Sequence, residues 1–124
     1  MAQTINITVV DDNISITQII SDYVFFANID AEVTVFNDSR EALKYIQSGK
    51  TIDILITDYQ MPVVNGIELI EASSPDTRKV MISGFVSEIA EDKLVQIGAD
   101  FLPKPISMKI LGSLINEELE KRSR

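Results

Sequence analysis

Two hydrophobic periods alternate along this chain, and that alternation restricts the available folds more than any other feature. Ile5 to Val10 is a short, β-branched apolar run. After it, Ile16, Ile19, Ile20, Tyr23, Val24 and Ala27 fall at the i, i+3, i+4, i+7, i+8 and i+11 spacing of an amphipathic helix. Glu32 to Phe36 is strand-like. Asp38, with Glu41 in the position of a reciprocal partner, reads as a helix cap ahead of Ala42, Leu43 and Ile46, with Gly49 as the stop. Ile52 to Thr57 predicts a third strand, Gly66 to Ala72 a short helix closed by Ser73-Ser74-Pro75-Asp76, and Lys79 to Ser83 a fourth strand. Glu88 to Ile97 predicts a helix with Ser87 as cap and Gly98 as stop, and Asp100 to Leu102 a brief strand. From Ser107 onward, Ile110, Leu111, Leu114, Ile115 and Leu119 form a last stripe with a charged outer face.

These are five strand–helix units in 124 residues, enough for one sizeable core and too few for two, so residues 1–124 are read as a single domain. A run such as Ile52 to Ile56, apolar at nearly every position, suits a strand covered on both faces, which implies a parallel sheet. Right-handed crossovers then put helices on both sides, giving a doubly wound α/β fold. In such sheets ligands bind beyond the carboxyl ends of the strands, so the residues at those tips carry the functional question.

Composition removes much chemistry. The chain has no Cys and no His, which excludes disulfides, thiolate or imidazole metal ligands, thiol catalysis and a histidine phosphoryl carrier. The formal charge is −8, which repels nucleic acid and anionic membranes; the short basic cluster Lys121, Arg122 and Arg124 suits a helix C-terminus. No signal peptide is apparent and no apolar run approaches the ~18 residues of a membrane span. The expectation is a cytoplasmic protein with no membrane insertion and no direct contact with nucleic acid.

The first strand ends in Asp11-Asp12, the third in Asp58, the fourth in Ser83-Gly84 and the fifth in Lys104-Pro105. Each has an ordinary structural reading: Asp12 or Asn13 as a helix cap, Asp58 as a turn residue, Ser83 as a loop hydroxyl, Lys104 as a solvated lysine. Together they make a different pattern. Three carboxylates converging on one crevice repel one another unless a cation sits among them, and oxygen-only ligands suit Mg²⁺. A hydroxyl and an ammonium at neighbouring tips add donors for phosphate oxygens, leaving Asp58 placed for attack on a phosphoryl group.

On these residues the chain resembles the receiver domain of bacterial two-component response regulators, over essentially its whole length. In VVDDN, Asp11 and Asp12 match the acidic pair that holds Mg²⁺. In ITDYQMPVVNG, Asp58 matches the phosphoacceptor, Gln60 the residue whose backbone carbonyl also ligates the metal, and Met61-Pro62 and Gly66 the loop and turn that follow. In MISGF, Ser83 matches the hydroxyl residue that follows the phosphoryl group; in DFLPKPI, Lys104 matches the phosphate-binding lysine, Pro105 the proline usually joined by a cis peptide, and Phe101 the aromatic switch position. The resemblance implies a flavodoxin-like five-stranded sheet of order 2-1-3-4-5 and a switch rather than an enzyme. It implies phosphorylation by a histidine kinase or histidine phosphotransfer protein, read out through the fourth helix, fifth strand and fifth helix by a downstream partner or a second copy.

Three features depart from the pattern. Gly84 replaces a usual Ala, Phe85 stands where a polar residue is common, and the third helix is about one turn short. Gln60 and Phe85 are expected to flank the water that hydrolyses the acyl phosphate. Two other readings compete. An aspartate-nucleophile phosphohydrolase would place its nucleophile at the first strand tip with a second acid two residues on, and a binding-only receiver would not need the complete acceptor set.

Overall fold

The structure, a computed structural model, describes residues 4–84 and 91–122. Its strands are β1 (Ile5–Val10), β2 (Ala31–Phe36), β3 (Ile54–Asp58), β4 (Arg78–Ser83) and β5 (Ala99–Pro103). All neighbouring pairs are parallel, and the order is β2-β1-β3-β4-β5. Between and after them run α1 (Ile14–Phe26), α2 (Ser39–Gln47), α3 (Gly66–Ala72), α4 (Glu91–Ile97) and α5 (Met108–Arg122). The fold is the expected flavodoxin-like, doubly wound α/β arrangement.

Strand β3 shows why its sequence is apolar throughout: all five of its residues are buried. Ile54 and Ile56 enter one core with Ile20 and Val24 of α1 and Leu111 and Ile115 of α5. Leu55 enters the other, with Ala42 and Ile46 of α2 and Leu69 and Ile70 of α3. The two-residue period of a strand divides one apolar run between two layers of helices.

Several boundaries differ from the sequence reading. The third strand begins at Ile54, not Ile52, because Asp53 leaves the ladder to bridge to β1. Its carboxylate accepts the Asn6 N–H at 2.7 Å while its own N–H donates to the Asn6 carbonyl at 2.8 Å. On α1, Ile20 and Val24 are buried and Ile16 and Tyr23 partly so, but Ile19 and Ala27 of the predicted stripe are exposed. α1 packs closely on α5 at Tyr23: a Cβ on Gly112 would come within 2.1 Å of the Tyr23 hydroxyl.

Asp38 does cap α2, accepting from the Arg40 N–H at 2.9 Å, but Glu41 pairs with Lys44 in place of closing a reciprocal box. That box occurs instead at α3, where Asn65 and Glu68 each accept the other's backbone N–H. The predicted cap Ser87 and the helical residues 88–90 lie outside the described residues.

Candidate functional site

The carboxyl ends of β1, β3, β4 and β5 bring together the residues singled out from the sequence. Asp11 follows β1 and is wholly buried, its N–H donating to the Phe36 carbonyl of β2. Its Oδ1 accepts the Asn13 N–H at 2.9 Å, and Asn13 in turn caps α1 by accepting from Ser15. The cap is therefore Asn13, and the exposed Asp12 carboxylate is left to the crevice.

Asp58 closes β3 and is 7% exposed. Its Oδ1 accepts the Tyr59 N–H at 2.9 Å. Lys104 reaches in from the end of β5, its ammonium 3.1 Å from Asp11 Oδ2 and 3.4 Å from Asp58 Oδ1. Lys104 is held beside Ser83 because its N–H donates to the Ser83 carbonyl at 2.9 Å, and the Lys104–Pro105 peptide is cis. Ser83 is buried at the end of β4, and Phe101, in β5, is partly buried against the α2–α3 core. Gln60 is exposed two residues beyond Asp58. Phe85 lies outside the described residues. An added Cβ at Gly84 would meet nothing within 4 Å, so space alone does not require glycine there.

One oxygen from each of Asp11, Asp12 and Asp58 lies within 4.8 Å of the other two. Asp11 Oδ2 is buried without a hydrogen bond among the described residues; Lys104 approaches it as a charge rather than as an aligned donor. Three carboxylates against one ammonium leave the crevice net negative. Three clustered carboxylate oxygens with only one ammonium against them make an all-oxygen donor set that fits a hard divalent cation such as Mg²⁺. Burial, with the charge of Asp11 second, pushes the Asp58 carboxyl above its ordinary range, against the pull of Lys104 and the Tyr59 N–H. Burial pulls Lys104 downward, but its contacts with Asp11 and Asp58 outweigh that and leave it raised.

The loop after Asp58 is packed from beneath by its own backbone. Gly66 donates its N–H to the Tyr59 carbonyl at 2.8 Å, and a Cβ there would stand 2.2 Å from the Asp58 carbonyl oxygen. This close approach explains the glycine after Asn65.

Two residues of the β2–α2 junction were not anticipated from the sequence. Asn37 donates to the Asp11 carbonyl at 2.8 Å and to Thr17 Oγ1 at 2.9 Å, tying the acidic loop to α1. Buried Ser39 donates to the Pro62 carbonyl at 2.8 Å and accepts the Val64 N–H at 3.2 Å. It thus straddles Val63, which has φ +74° and sits at the centre of a turn closed by Val64 N–H to Pro62 carbonyl at 3.0 Å. A β-branched residue in that conformation is strained. The only sequence signal was a serine and an asparagine flanking the α2 cap.

Residues 7–116 match the family described as the response regulator receiver domain, and the chain belongs to that family. Receiver domains act as signalling switches in two-component systems rather than as conventional enzymes. The chain is 30% identical over 95 residues to the two-component response regulator ORR42 of Oryza sativa subsp. japonica, covering 75% of this chain and 72% of that protein. It is 32% identical over 87 residues to the sensor kinase CckA of Brucella abortus, covering 66% of this chain but only 9% of the kinase. The chemotaxis response regulator CheY4 of Vibrio cholerae has a similar solved structure, with TM-score 0.77 and 28% identity over 94% of this chain and 99% of that one.

Proposed function

We propose that the chain is a phosphorelay switch that accepts a phosphoryl group on Asp58. The observation that carries this reading is the convergence of Asp11, Asp12 and Asp58 on one crevice, with Asp11 Oδ2 buried and neutralised only by Lys104. Asp11, Asp12 and Asp58, with the backbone carbonyl of Gln60, would hold Mg²⁺, which when bound supplies positive charge against the phosphoryl oxygens. A carboxylate oxygen of Asp58 forms the new P–O bond as the P–N bond of a donor phosphohistidine breaks, and the imidazole nitrogen leaves with the electron pair. Lys104 holds a phosphoryl oxygen by charge, and the Ser83 hydroxyl donates to another.

The donor is a histidine kinase or a histidine phosphotransfer protein. Ile16 and the exposed Ile19, with Pro105, Ile106 and Met108 across a groove of about 200 Å³, offer it an apolar seat beside Lys104. Phosphorylation adds roughly one negative charge to the crevice. Ser83 and Lys104 move to meet it, and the Phe101 ring turns further inward at no cost in hydrogen bonds. The α4–β5–α5 face, on which Val95 and Ile110 are exposed, then changes its affinity for a downstream partner or a second copy. Among the described residues no helix is long and apolar enough to cross a membrane, and the absence of Cys agrees with work in the cytoplasm.

Incubation with a small acyl-phosphate donor and Mg²⁺ should add one phosphoryl group, located on Asp58 by mass spectrometry. An Asp58→Asn protein that took up the label at the wild-type rate would refute the assignment. Phosphoryl lifetime is a second measurable outcome. Gln60 can hold an attacking water, whereas Phe85 offers only bulk and an apolar surface. Misplacing that water can slow hydrolysis by a factor of ~10². Phe85→Glu should therefore lose its phosphoryl group faster than wild type, and equal or slower loss would remove Phe85 from this role.

A further inference from the structure

At the opposite end of the sheet from Asp58, the C-terminal end of α1 and the edge strand β2 form a surface that phosphoryl transfer does not use. Phe25 and Phe26 are 75% and 77% exposed, and their rings meet edge to face with centroids 5.2 Å apart. Two adjacent exposed phenylalanines are a costly surface to leave in water. Beside them a groove of about 540 Å³ runs between α1 and β2, with Val24, Phe25 and Ile29 on one side and Ala31 and Val33 on the other. The groove lies at the start of the sheet, since Ile5 of β1 donates its N–H to Asp30 at 3.3 Å.

Among the described residues, the charged side chains of α1 and β2 are all acidic. All eleven Lys and Arg residues of the chain lie at Arg40 or beyond. Asp30 lines the groove and Asp22 lies one turn before Phe25 and Phe26 on α1, and among the described residues neither forms an ion pair. Asp22 accepts only from Gln18 and Asp30 from Thr4. The last turn of α1 holds no basic residue, so the negative end of that helix dipole is uncompensated as well. The described basic residues at the end of α5 are committed elsewhere, Lys121 to Glu118, and Arg122 to Glu118, Asp53 and the Asp76 carbonyl. Exposed aromatic faces add a further preference for cations.

We propose that this surface docks a basic amphipathic segment of another protein, with its apolar side on Phe25, Phe26 and the groove and its Lys or Arg residues against Asp22, Asp30 and the end of α1. Charge complementarity selects this occupant: a second copy would bring the same acids and the same charge-uncompensated helix end face to face, and like charges there repel. The proposal stands independently of phosphorylation at Asp58.

A short amphipathic peptide of Leu and Lys, titrated into isotope-labelled protein and followed by amide NMR, tests it. The expected shifts cluster between Ser21 and Val33, and a matched Leu and Glu peptide produces none. Phe25→Ser with Phe26→Ser should weaken the Lys peptide by at least about tenfold, as loss of aromatic anchors does. Both residues are exposed, so that variant should keep its fold and its uptake of phosphoryl groups. Asp22→Asn with Asp30→Asn should weaken binding separately and reduce its salt dependence. Shifts centred on the Asp58 crevice or spread over the whole surface would overturn the proposal, as would unchanged affinity in the Phe variant. Self-association that the Phe variant abolishes would overturn it too, by showing that a second copy covers the patch.

Discussion

Gly66 governs the acceptor loop by having no side chain. Its Cα lies so near the Asp58 carbonyl that a methyl group would stand 2.2 Å from a backbone oxygen, an atom with no rotamer to retreat into. Gly66→Ala must therefore move either the start of α3 or the end of β3. Overpacking of this kind costs roughly 1–3 kcal/mol. Because the displaced backbone carries Asp58, the variant should also accept phosphoryl groups more slowly, even at a temperature where it is fully folded. Denaturant unfolding and the rate of phosphoryl uptake measure the two effects separately; an unchanged rate would show that α3 alone absorbs the strain.

Among the elements, the β2–α2 junction contributes no acidic ligand to the crevice, yet it holds two loops that do. Asn37 secures the Asp11 backbone, and Ser39 spans the strained turn at Val63, a few residues beyond Asp58. Ser39→Ala removes both contacts of that hydroxyl, and because the Val64 N–H still donates to the Pro62 carbonyl the expected loss is about 0.5–1.5 kcal/mol. The same change should weaken Mg²⁺ binding several-fold, since the carboxylates would no longer be held at one spacing. Val63→Gly removes the conformational cost of a left-handed valine, about 1–2 kcal/mol. Combined with Ser39→Ala it should recover part of the stability. Melting curves and Mg²⁺ titration of the two single variants and the double would decide this; a double variant no better than Ser39→Ala would mean that Ser39 does not restrain the turn.

For the molecule as a whole, the end of the sheet opposite the acceptor crevice is closed by charges. Arg78 meets Asp100 at 2.7 Å, Glu117 at 3.0 Å and Glu118 at 3.1 Å, while Arg122 meets Glu118 and Asp53, each at 2.9 Å. These contacts fasten α5 to the starts of β3, β4 and β5. Glu118 is the buried member. Burial works to raise its carboxyl, but hydrogen bonds from Arg122 and Arg78 outweigh that and hold it below its ordinary 4.5. A carboxyl lowered in the folded state stabilises the fold above its unfolded pKa, and the contribution disappears as pH falls through the folded value. Glu118→Gln should cost about 1.5–3 kcal/mol at neutral pH, the scale of charged hydrogen bonds, since Arg78 keeps Asp100 and Glu117 and Arg122 keeps Asp53. Its deficit against wild type should shrink below about pH 4.5. Thermal melts across that range provide the check, and a deficit that stayed constant would show that the carboxylate charge contributes nothing.

The order of strands and helices was legible in the sequence because each element's period is written in neighbouring residues, and β3 and α3 carry it without interruption. The residues of the crevice were legible for a related reason. A parallel sheet places every strand tip at one end, so Asp11, Asp12, Asp58, Ser83 and Lys104 converge once the strands are recognised. The tertiary structure alone decided what depends on partners far apart in the chain. It chose Asn13 over Asp12 as the α1 cap, because Asp11 turns back to hold the Asn13 N–H. It placed Ser39 against a loop 23 residues away and Asn37 against one 26 residues away, contacts that no local pattern announces. It buried Glu118 on a helix face that reads as solvated, because Arg78 and Arg122 converge there from other parts of the chain. Local periodicity encodes which backbone conformation each segment takes; which polar groups satisfy one another depends on how the segments pack.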